Sequence, residues 1–194
     1  QKEINQATAH LMQSNYSYEY LKNKLKNLHY LFDFQSRDIL KNSKHFGKKE
    51  NLICYSHKSN EYINLLKNSS KENFIELKGF TSKEIIRIFK KTKLYIDFGY
   101  HPGKDKMPRE AVLFNNCVIT NLKGSAYNKF DIPINKKYKF KQNYKNLNQI
   151  NFTIDKILKN YKTEVRNFKN YKKKILNEEK LFKKQLLKIF FKQK

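Results

Sequence analysis

Residues 94–120, LYIDFGYHPGKDKMPREAVLFNNCVIT, constrain the fold more than any other stretch. Residues 94–98 are aromatic and β-branched and stop at Gly99, as a buried strand does. Residues 118–120, Val-Ile-Thr, form a second short apolar strand. The segment between them carries Gly99, Gly103, Lys104, Asp105 and Lys106, then Pro108, Arg109 and Glu110. Proline suits the first position of a helix, which needs no backbone donor. A strand, a glycine-bearing loop, a helix and a strand in that order build one step of a parallel α/β sheet. The free N–H groups of such a helix start, with lysines beside them, form a seat for phosphate, and Gly103 would let the backbone approach it.

Other strand–helix units surround this one. Residues 51–55 read as a buried strand, followed by the loop Ser56-His57-Lys58-Ser59 and a helix over 60–67. Residues 74–77 read as the next strand, Gly79 as its break, and Thr81 or Ser82 as the cap of a helix over 83–91. After the second strand of the central unit, residues 123–126 read as a loop, and 132–134 and 138–140 as short extended pieces. Residues 148–161 read as a helix with Ile150, Ile154, Ile157 and Leu158 as its stripe. Residues 163–194 are one lysine-rich helix or a pair, either packed on the domain or free to dock elsewhere. Upstream, residues 1–13 read as weakly helical, 13–17 as a loop, 19–28 as a helix and 36–49 as a connector with at most one helical turn. The expected class is therefore α/β, a Rossmann-like parallel sheet with helices on both faces plus a long basic C-terminal helix. The expected divisions are 1–49, 50–160 and 161–194. Ligands of such sheets bind at the edge where the strands end.

The chain has 194 residues and a formal net charge of +25, carried almost wholly by lysine, with arginine only at 37, 87, 109 and 166. Three readings fit that charge: a solvated basic surface, a face for an anionic membrane, or nucleic-acid binding. The last has least support, because no arginine-rich recognition helix, zinc spacing or RNP-like aromatic signature is present. Cys54 and Cys117 fall inside expected strands and read as two buried thiols of a reducing compartment. No apolar run approaches the length of a membrane span and no signal peptide opens the chain, so a cytoplasmic protein, peripheral at most to the inner membrane face, is expected.

The pieces YIDFG (95–99), HPGKD (101–105), PREA (108–111) and CVIT (117–120) resemble the donor-binding signature of a bacterial glycosyltransferase-like family with the two-lobed GT-B fold. The resemblance runs over roughly residues 9–140 and is tightest over 79–120. It implies that the chain holds mostly the C-terminal, nucleotide-sugar-binding lobe, with residues 1–49 a remnant of an N-terminal lobe and connector. It also implies a nucleoside-diphosphate sugar as donor substrate, no metal and no other cofactor. The implied acceptor is a glycan or a lipid-linked sugar of bacterial surface polysaccharide, such as capsule or lipopolysaccharide. Glu110 is expected to hold the ribose hydroxyls, since a carboxylate accepts two hydrogen bonds at once. Arg109, Lys104 and Lys106 are expected at the diphosphate, Arg109 bidentately. His101 would donate to phosphate or orient a hydroxyl, or simply order its loop. Gly103 and Lys58 are placed at the same edge, and Gly124 and Ser125 near the donor sugar or in an ordinary turn. Asp105 would anchor the loop through backbone N–H groups. No second His, Cys or acid is read at ligand spacing from His101, so no metal site is proposed.

Two departures matter. Broader retaining glycosyltransferases carry two glutamates separated by seven residues; the place eight before Glu110 is Pro102, so the first acid is missing and no catalytic base can be named. Their helix-ending glycine is Asn116 here, which can adopt the left-handed cap. A binding module without turnover, and a basic protein for nucleic acid or anionic lipid, remain as alternatives.

Overall fold

A computed structural model describes residues 4, 6–45, 47–59 and 61–191. Five parallel strands form the central sheet: β3 (Glu50–Ser56), β4 (Asn73–Leu77), β5 (Thr92–Asp97), β6 (Cys117–Asn121) and β7 (Lys139–Phe140). Their spatial order is β4-β3-β5-β6-β7. Numbered from the first strand of this sheet, that is the doubly wound order 2-1-3-4-5, whose direction reverses between β3 and β5. Ile53 and Cys54 on β3, Leu94, Tyr95 and Ile96 on β5, and Cys117, Val118 and Ile119 on β6 have no solvent exposure. Central strands covered on both faces need such unbroken apolar runs rather than alternation. Both thiols are free and buried, and burial pushes the Cys54 thiol up to about 12.

The connecting helices are α3 (Tyr62–Ser69), α4 (Ser82–Lys91) and α5 (Lys106–Leu113), and α6 (Leu147–Lys159) follows β7. Thr81 caps α4 in a reciprocal capping box with Glu84, satisfying two donors that the helix start would otherwise leave open. Phe89 of α4 stacks on Phe114 just after α5 and meets the Tyr95 ring edge-on. The expected α6 stripe of Ile150, Ile154, Ile157 and Leu158 is buried. The helix expected over 60–67 is α3; its expected first residue, Asn60, lies outside the described residues.

The N-terminal segment differs from expectation. Residues 4 and 6 are helical, in keeping with the weakly helical reading, but residues 10–12 form strand β1 (His10–Met12), parallel to β2 (Leu28–Tyr30), so that reading fails there and a helix running to Leu28 does not hold. The helix is α1 (Asn15–Leu21), started by a capping box between Ser14 and Ser17. Serines at 14 and 17 read as a loop by composition, and the cap turns them into a helix start. Asp131 accepts from the Asn15 and Tyr16 N–H groups at 2.7 and 2.8 Å, tying α1 to the main domain. The single helical turn expected in 36–49 is α2 (Arg37–Asn42), capped by Ser36. The expectations for residues 1–3, 5, 46 and 192–194 fall outside the described residues.

The C-terminal region is a chain of short helices: α7 (Tyr161–Glu164), a 3-10 turn over Val165–Phe168, α8 (Lys169–Leu176) and α9 (Glu178–Phe190). Phe168, Tyr171 and Ile175 join the core, and α9 packs on the N-terminal segment through Phe34 against Phe182 and a bond from the Phe32 N–H to Gln185. Among the described residues no helix is long and apolar enough to cross a membrane.

Candidate functional site

The loops after β3 and β5 meet at the carboxyl edge of the sheet, where its winding reverses. The Phe98 N–H donates to the Ser59 hydroxyl at 3.1 Å. A Cβ on Gly99 would come within 2.8 Å of the Lys58 Cβ, so glycine is what lets the two loops touch. The Asn121 amide, at the end of β6, donates to the Gly99 carbonyl at 2.7 Å. Lys58 itself is exposed.

His101 is completely buried and faced by carboxylates on both sides. Its Nδ1 lies 2.7 Å from Asp105 and its Nε2 3.4 Å from Asp97. Neither contact is a well-aligned N–H···O bond, so the attraction is chiefly ionic. Burial works against a charged ring, but the two carboxylates outweigh it and raise the His101 pKa to about 9. Burial likewise disfavours the Asp97 anion; the His101 ring, the Tyr95 hydroxyl at 2.7 Å and the Gly99 N–H at 3.0 Å reverse that and hold it below the usual range. The reading that no acid stands at ligand spacing from His101 is corrected: residues 97, 101 and 105, four apart on each side, offer ligand-type atoms all within 4.8 Å of one another. An imidazolium has no lone pair to give, so these side chains would take a metal only by releasing that proton.

Gly124 and Ser125 hold this loop from beneath. The Ser125 N–H donates to the His101 carbonyl at 2.8 Å and its hydroxyl to the Gly103 carbonyl at 2.5 Å. Gly124 has φ +58°, and a Cβ there would fall 2.0 Å from the His101 carbonyl oxygen. Both donors of Ser125 are thus spent on the loop rather than held for a sugar. At Gly103 a Cβ would meet nothing within 4 Å and φ is not left-handed, so neither crowding nor strain demands glycine there.

Arg109 is buried and fully engaged. Its Nη2 donates to both Asp33 carboxylate oxygens at 2.9 Å and to the Lys104 carbonyl at 3.0 Å, its Nη1 to Glu178 at 2.9 Å, and its Nε to the Asp105 carbonyl at 3.2 Å. Lys104 pairs with the other Glu178 oxygen at 2.6 Å and lies over the Phe32 ring. Asp33 and Glu178 together take the Arg109 donors expected to face a phosphate. In this arrangement Arg109 and Lys104 fasten the N-terminal segment and the start of α9 to the sheet, and a diphosphate role for them would require breaking those pairs. The sequence assigns neither Asp33 nor Glu178 a role at the site, because Arg109 lies 76 and 69 positions away from them.

The helix α5 begins at Lys106, so Pro108 is its third residue rather than its first. The position still suits proline, because the first turn has no intrahelical acceptors for its N–H groups. Asp105 stands at the cap but makes no capping bond, having turned to His101, so it does not anchor the loop through N–H groups as expected. The first N–H groups of α5, on Lys106 and Met107, therefore keep no side-chain acceptor. The left-handed residue after α5 is Asn115 (φ +61°), not Asn116, whose buried amide instead ties Thr92, Phe89 and Ala111 together.

Glu110 is half-buried, and its carboxylate makes no hydrogen bond or ion pair among the described residues. Burial raises its pKa, with Lys106 and Arg109 opposing. One turn before it on the same helix face, Met107 lines a cavity of about 230 Å³ with Ser56, His57, Gly79 and Phe80. Comparison with known proteins returns no matching family model, no matching curated protein and no matching solved structure.

Proposed function

We propose that the chain is the donor-binding lobe of a nucleoside-diphosphate-sugar glycosyltransferase, acting on a surface-polysaccharide or lipid-linked acceptor without a metal ion. The observation that carries the reading is Glu110: an ionisable carboxylate, partly desolvated and without a partner among the described residues, on the helix α5 whose start is uncapped and which follows the central strand β5. A group left in that state costs stability, and a ligand hydroxyl pair would repay it. The α5 N–H groups with the exposed Lys106 and Lys58 would face the diphosphate, and Phe80, 40 % exposed at the cavity rim, would offer its ring to a base. Helix donors and lysines would then stabilise the leaving diphosphate electrostatically. The cavity is smaller than a whole nucleotide sugar needs, which suits a site completed by a second lobe. A cytoplasmic setting at the inner membrane face belongs to the same proposal.

A second reading, a nucleotide-sugar-binding module without turnover, is favoured by one observation. Asp97 and Asp105 flank the one His101 ring, and Asp33 and Glu178 are paired with Arg109 and Lys104, so these four carboxylates are already engaged rather than free to act as a base. Titration with UDP, GDP and CDP by calorimetry tests both. Micromolar binding of one nucleotide, lost in Glu110→Ala, supports the site; sugar transfer against donor hydrolysis alone separates enzyme from module. Binding of none of the three, with salt-dependent DNA binding instead, overturns both.

A further inference from the structure

The amino edge of the sheet, opposite the site above, holds a second concavity. It has a volume of about 610 Å³ and is lined by Lys48, Lys49, Lys93, Lys159 and Lys162 around Tyr161. Five lysines thus line one recess, and among the described residues no carboxylate lines its wall. Two of them are fixed in place. Lys49 donates to the Phe89 and Thr92 carbonyls at 2.7 and 2.8 Å, and Lys93 to the Leu158 carbonyl at 3.0 Å. The Phe89 and Leu158 carbonyls lie in the last turns of α4 and α6, and Thr92 is the C-cap of α4; these negative poles hold the cations without neutralising them. Lys48, Lys159 and Lys162 are exposed and enter no ion pair among the described residues. The nearest acids in sequence, Glu50 and Glu164, stay outside the cavity; Glu164 is committed to Lys137 and Tyr138.

Mutual repulsion among like charges in a recess is unfavourable, and a solvated lysine face would relieve it by spreading out. Here two side chains are pinned, and Lys49 is largely desolvated with only carbonyl partners. Its pKa falls to about 7, chiefly through burial. Such a site is complementary to one small ligand that carries several negative charges and many acceptor oxygens.

We propose that the amino-edge cavity is a binding site for a small, multiply charged phosphate, independent of the Glu110 site. Lys49 and Lys93 form its preset floor, and Lys48, Lys159 and Lys162 close over the ligand. The Tyr161 hydroxyl is spent on the Asn115 carbonyl at 2.6 Å, so recognition rests on the ammonium groups.

The test uses inorganic tripolyphosphate as the probe, titrated by calorimetry at about 0.15 M ionic strength so that diffuse attraction is screened. The variant K48Q/K159Q/K162Q removes three exposed charges that hold nothing in the fold. The control K173Q/K180Q/K184Q removes as many charges from α8 and α9. Saturable one-site binding, weakened about tenfold by the first triple and far less by the control, is the expected result. Equal weakening by both triples, or no saturable binding by the native sequence, overturns the proposal. Glu110→Gln separates this site from the other: tripolyphosphate affinity unchanged in that variant supports the proposal, and affinity lost there overturns it by placing the phosphate at the carboxyl edge.

Discussion

The two edges of the sheet treat charge in opposite ways. At the carboxyl edge, Arg109, Lys104 and His101 each sit against a carboxylate, supplied by Asp33, Glu178, Asp97 and Asp105. At the amino edge, five lysines line a cavity with none. In a chain of net charge +25 the few acids are therefore not spread evenly; several are spent where cations are buried. The comparison teaches that a basic residue in a promising loop is not thereby a ligand group. What counts is whether the fold has already given it a partner. By that measure Glu110, Lys106 and Lys58 count among the free groups at the carboxyl edge, and the arginine that the motif points to does not.

The largest expected effect comes from breaking the carboxyl-edge network. Arg109→Met leaves Asp33 and Glu178 without their main counter-charge, and removing one partner of a buried pair costs about 3–5 kcal/mol. Urea denaturation checks it; a loss under about 1 kcal/mol would mean that the network contributes little and that Arg109 is free for a ligand after all. The second test is pH. A folded-state pKa of about 9 for His101, above its ordinary 6.5, means stability that is complete below about pH 6.5 and is lost as pH rises through 9. The full shift corresponds to about 3 kcal/mol. His101→Gln should flatten that fall in a denaturation series between pH 6 and 10, and an unchanged slope would remove the imidazolium from the account.

Gly124→Ala comes next. The added Cβ meets the His101 carbonyl and the backbone sits at positive φ, so a cost of about 2 kcal/mol is expected, with the loop displaced. Ser125→Ala, which keeps the backbone bond, should cost less, about 1 kcal/mol for its one lost hydroxyl bond; the reverse order would show that the hydroxyl, not the close approach, holds the loop. The smallest effect sharpens the contrast. Glu110 has a raised pKa, so its ionised form at neutral pH works against the fold. Glu110→Gln should leave thermal stability at pH 7 unchanged or higher by up to about 1 kcal/mol, while nucleotide affinity falls. A clear loss of stability would show that Glu110 has a structural partner and would weaken it as a ligand group.

Much of the main domain is legible in the residues. The helix over Ser82–Lys91 declares itself through Thr81 and Glu84, and the stripe of α6 through isoleucines at helical spacing. The N-terminal segment is not legible in this way. Its strands have three residues each, too short for a period to develop, and β1 exists only because β2 pairs with it from 18 positions away. The same limit applies at the site. The symmetric Asp97-x3-His101-x3-Asp105 spacing is visible in the sequence, but in a loop, spacing does not set distance; the backbone clamp from Gly124 and Ser125 does.

The residues alone determined that strands and helices alternate into a parallel sheet, because caps, breakers and apolar runs act between neighbours in the chain. Tertiary structure decided which charges are used up. An ion pair depends on distance in space, and Arg109 meets its acids only after segments some seventy residues before and after it have folded onto the same helix. Glu110, its neighbour in sequence, stands about 100° further round that helix, and its carboxylate meets no partner among the described residues.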